Sequence, residues 1–82
     1  MATEKLVGRR YPRTPLWERR ITADLTQQEV ASGVGLSLGY YRSLERGAAV
    51  NPTLDVVTKL ADFYSISIEE AAGDLVAARR SA

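Results

Sequence analysis

The sequence predicts an all-α domain of five short helices, and three observations carry that prediction. Leu54, Val57, Leu60, Ala61 and Tyr64 recur at three- and four-residue spacing, the mark of one buried helical face. Two stretches, Thr26-Gln27-Gln28-Glu29 and Ser67-Ile68-Glu69-Glu70, fit the capping box in which a Ser or Thr and a Glu three residues on satisfy each other's backbone amides. Thr14-Pro15 reads as an N-cap followed by proline at the first helical position. With 82 residues the chain makes one domain, and a single compact helical core is the limit of what it can bury.

Residues 1–13 show no helical period and contain Gly8 and Pro12; they read as a flexible basic arm ahead of a domain over 14–82. The first helix runs from Pro15 to about Ala23, with Leu16, Trp17 and Ile21 as its apolar surface. Thr26 caps a second helix over Gln27 to about Ser32, Val30 and Ala31 facing inward, and Gly33-Val34-Gly35 is expected to break it. Ser37 caps a third, ending near Arg46 and stopped by Gly47. Tyr41 and Leu44 lie three apart and point into the core. Tyr40 then faces outward with Leu38, Gly39, Arg42, Ser43 and Arg46, completing a helix-turn-helix core over 26–46.

Downstream, Pro52 pushes Asn51 out of the α region, so 48–52 is a loop. Thr53 caps a fourth helix, Leu54 to about Tyr64, with Asp55 at the positive end of its dipole. After a turn at Ser65-Ile66, the fifth helix starts at Ile68 and continues through Ala71, Ala72, Leu75 and Val76 toward Ala78, weakened at Gly73 by about 1 kcal/mol relative to Ala. Leu75, Val76, Ala77 and Ala78 form an apolar patch that reads either as a dimer contact or as a tail packed on its own domain. Trp17 and Phe63 are core or part of a subunit contact.

Composition narrows the chemistry. Cysteine and histidine are both absent, which excludes disulfides, His/Cys zinc sites and every His-dependent triad. Nothing suggests a phosphate-cradling loop or a carboxylate cluster beyond what capping explains, so no enzyme, cofactor, metal or small-molecule substrate is expected. There is no apolar leader segment and no run approaching about 18 apolar residues, so the expectation is a soluble, cytoplasmic protein without a membrane partner. Net charge is only +1. Its distribution is uneven: Lys5, Arg9, Arg10, Arg13, Arg19 and Arg20 outnumber the acids of residues 1–24, while Asp55, Asp62, Glu69, Glu70 and Asp74 outnumber Lys59, Arg79 and Arg80 in residues 51–82. That asymmetry suits one face turned toward phosphate, or simply a mixed surface.

One ordered set of short matches goes further: Leu25-Thr26-Gln27, Val30-Ala31, Val34-Gly35, Ser37 before the third helix, Leu44-Glu45-Arg46-Gly47, Asn51-Pro52-Thr53-Leu54, Leu60-Ala61 and Ile66-Ser67-Ile68-Glu69-Glu70. Over roughly Leu16 to Ala72 this resembles the helix-turn-helix of the phage-repressor family (Cro/CI-like, often called XRE). The resemblance implies a compact five-helix, lambda-repressor-like DNA-binding domain that acts as a homodimer on double-stranded DNA at an inverted-repeat operator, with residues 37–46 as recognition helix. The expected function is sequence-specific DNA binding by a small transcriptional regulator of repressor, Cro-like or restriction-modification controller type, bacterial or phage-encoded and nucleoid-associated. The alternative is a protein-interaction module or antitoxin-type protein using the same fold with weak base readout.

Carried onto this chain, the resemblance makes Gln27 a phosphate contact and pairs Arg20 with Glu45 as a partly buried clamp between the first and third helices. Asp24 stands where the family has glycine, although Asp tolerates a left-handed backbone. Within the DNA-facing set Ser37, Leu38, Gly39, Tyr40, Arg42, Ser43 and Arg46, the pair Leu38 and Gly39 departs from the family's polar residues and has no side-chain hydrogen bond to offer a base edge. Leu38 is left for a thymine methyl, for packing or for a protein contact, and Gly39 for close backbone approach. Arg42 is then the direct reader, with guanine its natural partner, and Ser43 a secondary one. The Tyr40 hydroxyl and Arg46 are phosphate candidates, Arg46 equally a cation favoured by the helix dipole. Arg9, Arg10 and Arg13 either reach around the duplex or stay solvated.

Overall fold

Each helix begins at a residue whose side chain closes the first turn. The computed structural model describes residues 13–49 and 51–81; Arg9 and Arg10, with the rest of 1–12, lie outside the described residues. Helix α1 is Pro15–Thr22, with the Thr14 hydroxyl accepting from the Trp17 amide. Helix α2 is Gln27–Val34, opened by a complete Thr26/Glu29 capping box. Helix α3 is Leu38–Glu45, capped by Ser37 on the Tyr40 amide. Helix α4 is Leu54–Tyr64, capped by Thr53, and helix α5 is Ile68–Ser81, behind the second capping box at Ser67 and Glu70. The described residues contain no strand, so the domain is all-α with five helices.

Helices α2 and α3 form the helix-turn-helix, α4 packs under α2, and α5 closes the domain across α1, α3 and α4. The core joins Leu16, Val30, Ala31, Val34, Tyr41, Leu44, Val57, Leu60, Ala61, Ala71 and Leu75. Among the described residues, three corners need a left-handed backbone outside glycine: Asp24, Asn51 and Ser65 all have φ between 54° and 60°. Asp24 thus holds the position for which glycine was the family's residue. No helix among the described residues is long and apolar enough to cross a membrane.

Several expectations are corrected. Helix α2 does not break after Ser32; it runs through Gly33 and Val34 and stops only at Gly35, whose φ is 85°. Gly33 serves close packing instead, because a Cβ there would overlap the Phe63 ring of α4. Leu54 does not belong to the buried face of α4; it opens the helix 71% exposed, and Val56 takes its place in the core. Ile21 is likewise exposed. Helix α5 passes Gly73 and continues to Ser81, three residues beyond the expected end, because Leu75 and Ala78 bury against the domain. The proposed C-terminal dimer patch is therefore divided: Leu75 and Ala78 belong to this chain's own core, and Val76 is the large apolar residue left exposed there. Trp17 is core, 7% exposed, with its indole Nε1 lacking a hydrogen-bond partner among the described residues.

Candidate nucleic-acid interface

The interface is built outward from one buried carboxylate. Glu45, the last residue of α3, is fully buried, and Arg20 of α1 is 8% exposed. Arg20 approaches as a fork, Nε donating to Glu45 Oε2 at 2.7 Å and Nη2 to Oε1 at 3.0 Å. Its third nitrogen, Nη1, donates to the carbonyl of Leu25 at 3.0 Å, just ahead of α2. The Tyr41 hydroxyl, one turn before Glu45, donates to Oε2 at 2.6 Å. The Gln27 amide of α2 donates to Oε1 at 3.1 Å. The Thr14 hydroxyl donates to the Glu45 carbonyl. One side chain thus ties α1, α2 and α3 together with its lone pairs filled, the condition under which a buried ion pair is tolerated.

Burial, reinforced by the hydrogen bond to Glu45 and by its charge, pushes the Tyr41 phenol far above its ordinary range, because ionising it would put a second anion beside the first. Tyr64, half-buried against the core, is likewise raised, chiefly by desolvation. A second clamp joins α1 to α5: Arg19 Nε donates to Asp74 Oδ2 at 2.5 Å, with Glu70 Oε2 at 3.8 Å. That hydrogen bond raises the Arg19 pKa further.

On this frame α3 turns one face outward. Arg42 is exposed, and its Nε donates to the Gln27 Oε1 at 3.0 Å. Arg46 is exposed where α3 ends. Gly39 is exposed, and a Cβ there would meet nothing within 4 Å, so its lack of a side chain serves no packing inside the domain. Ser43 is half-buried and donates to the Tyr40 carbonyl at 2.6 Å, so its proton is engaged within the helix. Leu38 and Tyr40 are half-buried against the core cluster, not directed wholly outward as expected. Ser37 is exposed with its hydroxyl occupied by the cap. Arg13 is exposed, its guanidinium 5.7 Å from the centre of the Trp17 ring.

Three features escaped the sequence reading. The Tyr41–Glu45 bond was signalled by its i, i+4 spacing, and Thr14 was read as a cap without its second partner on α3. Gln28, exposed in the first turn of α2 with its amide on Ser32 at 3.0 Å, was not singled out.

The sequence profile of the family described as helix-turn-helix matches residues 18–70. Over 55 residues the chain is 42% identical to the cryptic phage CTXphi transcriptional repressor RstR of Vibrio cholerae, an alignment covering 67% of this chain and 49% of that protein. A second RstR, from Vibrio cholerae serotype O1 (strain ATCC 39315 / El Tor Inaba N16961), is 36% identical over 58 residues, covering 71% of this chain and 51% of that one. The chain thus spans about half the length of these relatives. No solved structure matches it significantly.

Proposed function

The chain belongs to the helix-turn-helix family, and from that premise we propose that it binds double-stranded DNA sequence-specifically, as a small transcriptional regulator of the repressor type. The observation that carries the reading is Arg42: an exposed guanidinium on α3, flanked by Gly39 and Arg46 and backed by a helix pair locked through Glu45. Helix α3 enters the major groove. Arg42 reads a base edge, guanine being the partner that accepts two parallel hydrogen bonds. Gly39 lets the helix approach closely. Arg46 contacts phosphate, and the N-terminus of α2, where Gln27 begins the helix, offers its dipole to another. Ser37, Leu38, Tyr40 and Ser43 border this surface, and Arg9, Arg10 and Arg13 are the further cations offered to phosphate.

The regulator works as a homodimer, with the recognition helices in successive major grooves about 34 Å apart on an inverted repeat. It is a cytoplasmic, nucleoid-associated protein with no small-molecule partner.

In vitro selection from random duplex DNA, run at two salt concentrations, tests the proposal. Enrichment of an inverted repeat is the expected result. Binding that collapses with salt and enriches no sequence overturns sequence specificity. No retention at either salt moves the protein to the interaction-module alternative.

A further inference from the structure

We infer that Gln27 is a positioning residue for base readout: held by Glu45 on one side, its side-chain amide holds Arg42 on the other. This deepens the proposed function and rests on reading α3 as the recognition helix. The amide can be oriented only one way. Its Nε2 donates to Glu45 Oε1 at 3.1 Å and its Oε1 accepts from Arg42 Nε at 3.0 Å. Flipped, its carbonyl would face a carboxylate and its NH2 would face a guanidinium N–H, acceptor against acceptor and donor against donor. Glu45 is itself fully buried and gripped by Arg20 and Tyr41. The order of a buried ion pair is therefore passed through one amide to an exposed, otherwise flexible arginine.

The consequence for recognition is geometric. With Nε committed to Gln27, Arg42 presents Nη1 and Nη2 end-on, a two-pronged donor matched to the O6 and N7 of guanine. Fixing the side chain beforehand removes part of the entropy lost on docking. Gln27 gives one amide hydrogen to Glu45 and its carbonyl to Arg42, so its side chain sets the direction of Arg42.

The test compares wild type with Gln27→Met, Arg42→Ala and the double variant, on the selected duplex and on random duplex. Gln27→Met should weaken the selected duplex by about five- to tenfold, the loss of one charge-assisted tether, and leave random duplex unchanged. It should add nothing to Arg42→Ala. Equal weakening on both duplexes would overturn the inference and make the side chain a phosphate contact. If Arg42→Ala leaves base preference intact, the reading of Arg42 as reader is what fails, and the positioning role goes with it. Nitrogen-15 NMR of the free protein checks the tether apart from DNA. The Arg42 Nε–H should exchange slowly with solvent in wild type and fast in Gln27→Met, while the remaining spectrum reports an intact fold. Equal exchange in both proteins would sink the proposal.

Discussion

At the scale of single residues, Glu45 decides the most. Its two oxygens accept from Arg20, Tyr41 and Gln27, and the side chain is fully buried, out of reach of bulk solvent. Glu45→Gln removes the charge but leaves the Arg20 guanidinium in place and nearly as buried. Such a stranded charge costs about 3 kcal/mol or more, a large fraction of the roughly 5–15 kcal/mol that holds a domain together. Urea unfolding should show that drop as a lowered midpoint with an unchanged slope. The same cluster sets a pH limit. Tyr41 and Tyr64 are both raised in the fold, so below about pH 10 they are neutral folded and unfolded alike and their stabilising effect is intact. As pH rises past that value the unfolded chain releases protons that the folded chain keeps. Stability should then fall by up to about 1.4 kcal/mol per pH unit per tyrosine. Urea midpoints from pH 8 to 11 should trace the fall, and Tyr41→Phe should shallow it. The Arg20–Glu45 pair was legible through the family pattern. The phenol at its centre was not, because periodicity assigns a tyrosine ring to the core without saying where its hydroxyl ends.

At the scale of the helices, the caps and the glycine stops at Gly35 and Gly47 were legible and Gly33 was not. Thr14, Thr26, Ser37, Thr53 and Ser67 each cap the helix they were expected to cap, because capping is local chemistry written within four residues. Gly33 was taken for a breaker since its partner, Phe63, is thirty residues away and no local rule reports it. Exposed Gly73 has open space around its Cα, whereas Gly33 is pressed against a ring. The two should respond oppositely to alanine. Gly73→Ala should stabilise by about 0.5–1 kcal/mol through helix propensity alone. Gly33→Ala should destabilise by about 1–3 kcal/mol through overpacking, and trimming the ring in Gly33→Ala/Phe63→Leu should recover most of the loss relative to Phe63→Leu alone. In a domain this size each kcal/mol moves Tm by about 4–8 °C, so thermal unfolding separates these outcomes.

At the scale of the whole molecule, the charge split along the chain means less for DNA than the sequence suggests. The basic front and acidic back meet where Arg19 is held by Asp74 and Glu70 of α5, while Arg20 is taken by Glu45 of α3. Two arginines of the basic front are thus committed to fastening α1, Arg20 to the partner that the family pattern implied and Arg19 to one that only the topology brings near. The cations left exposed beside the outward face of α3 are Arg42 and Arg46. Salt dependence distinguishes the two kinds of arginine, because each phosphate neutralised adds about 0.9 to the slope of log affinity against log salt. Arg46→Gln should reduce that slope by about one on any duplex and leave the unfolding midpoint unchanged. Arg19→Gln should do the reverse, keeping the slope while lowering stability by about 1 kcal/mol, the scale of a partly exposed pair. A reduced slope with Arg19→Gln and none with Arg46→Gln would put α1, not the end of α3, against the backbone. The orientation of the domain on DNA would then have to be turned, even with the fold and every helix cap unchanged.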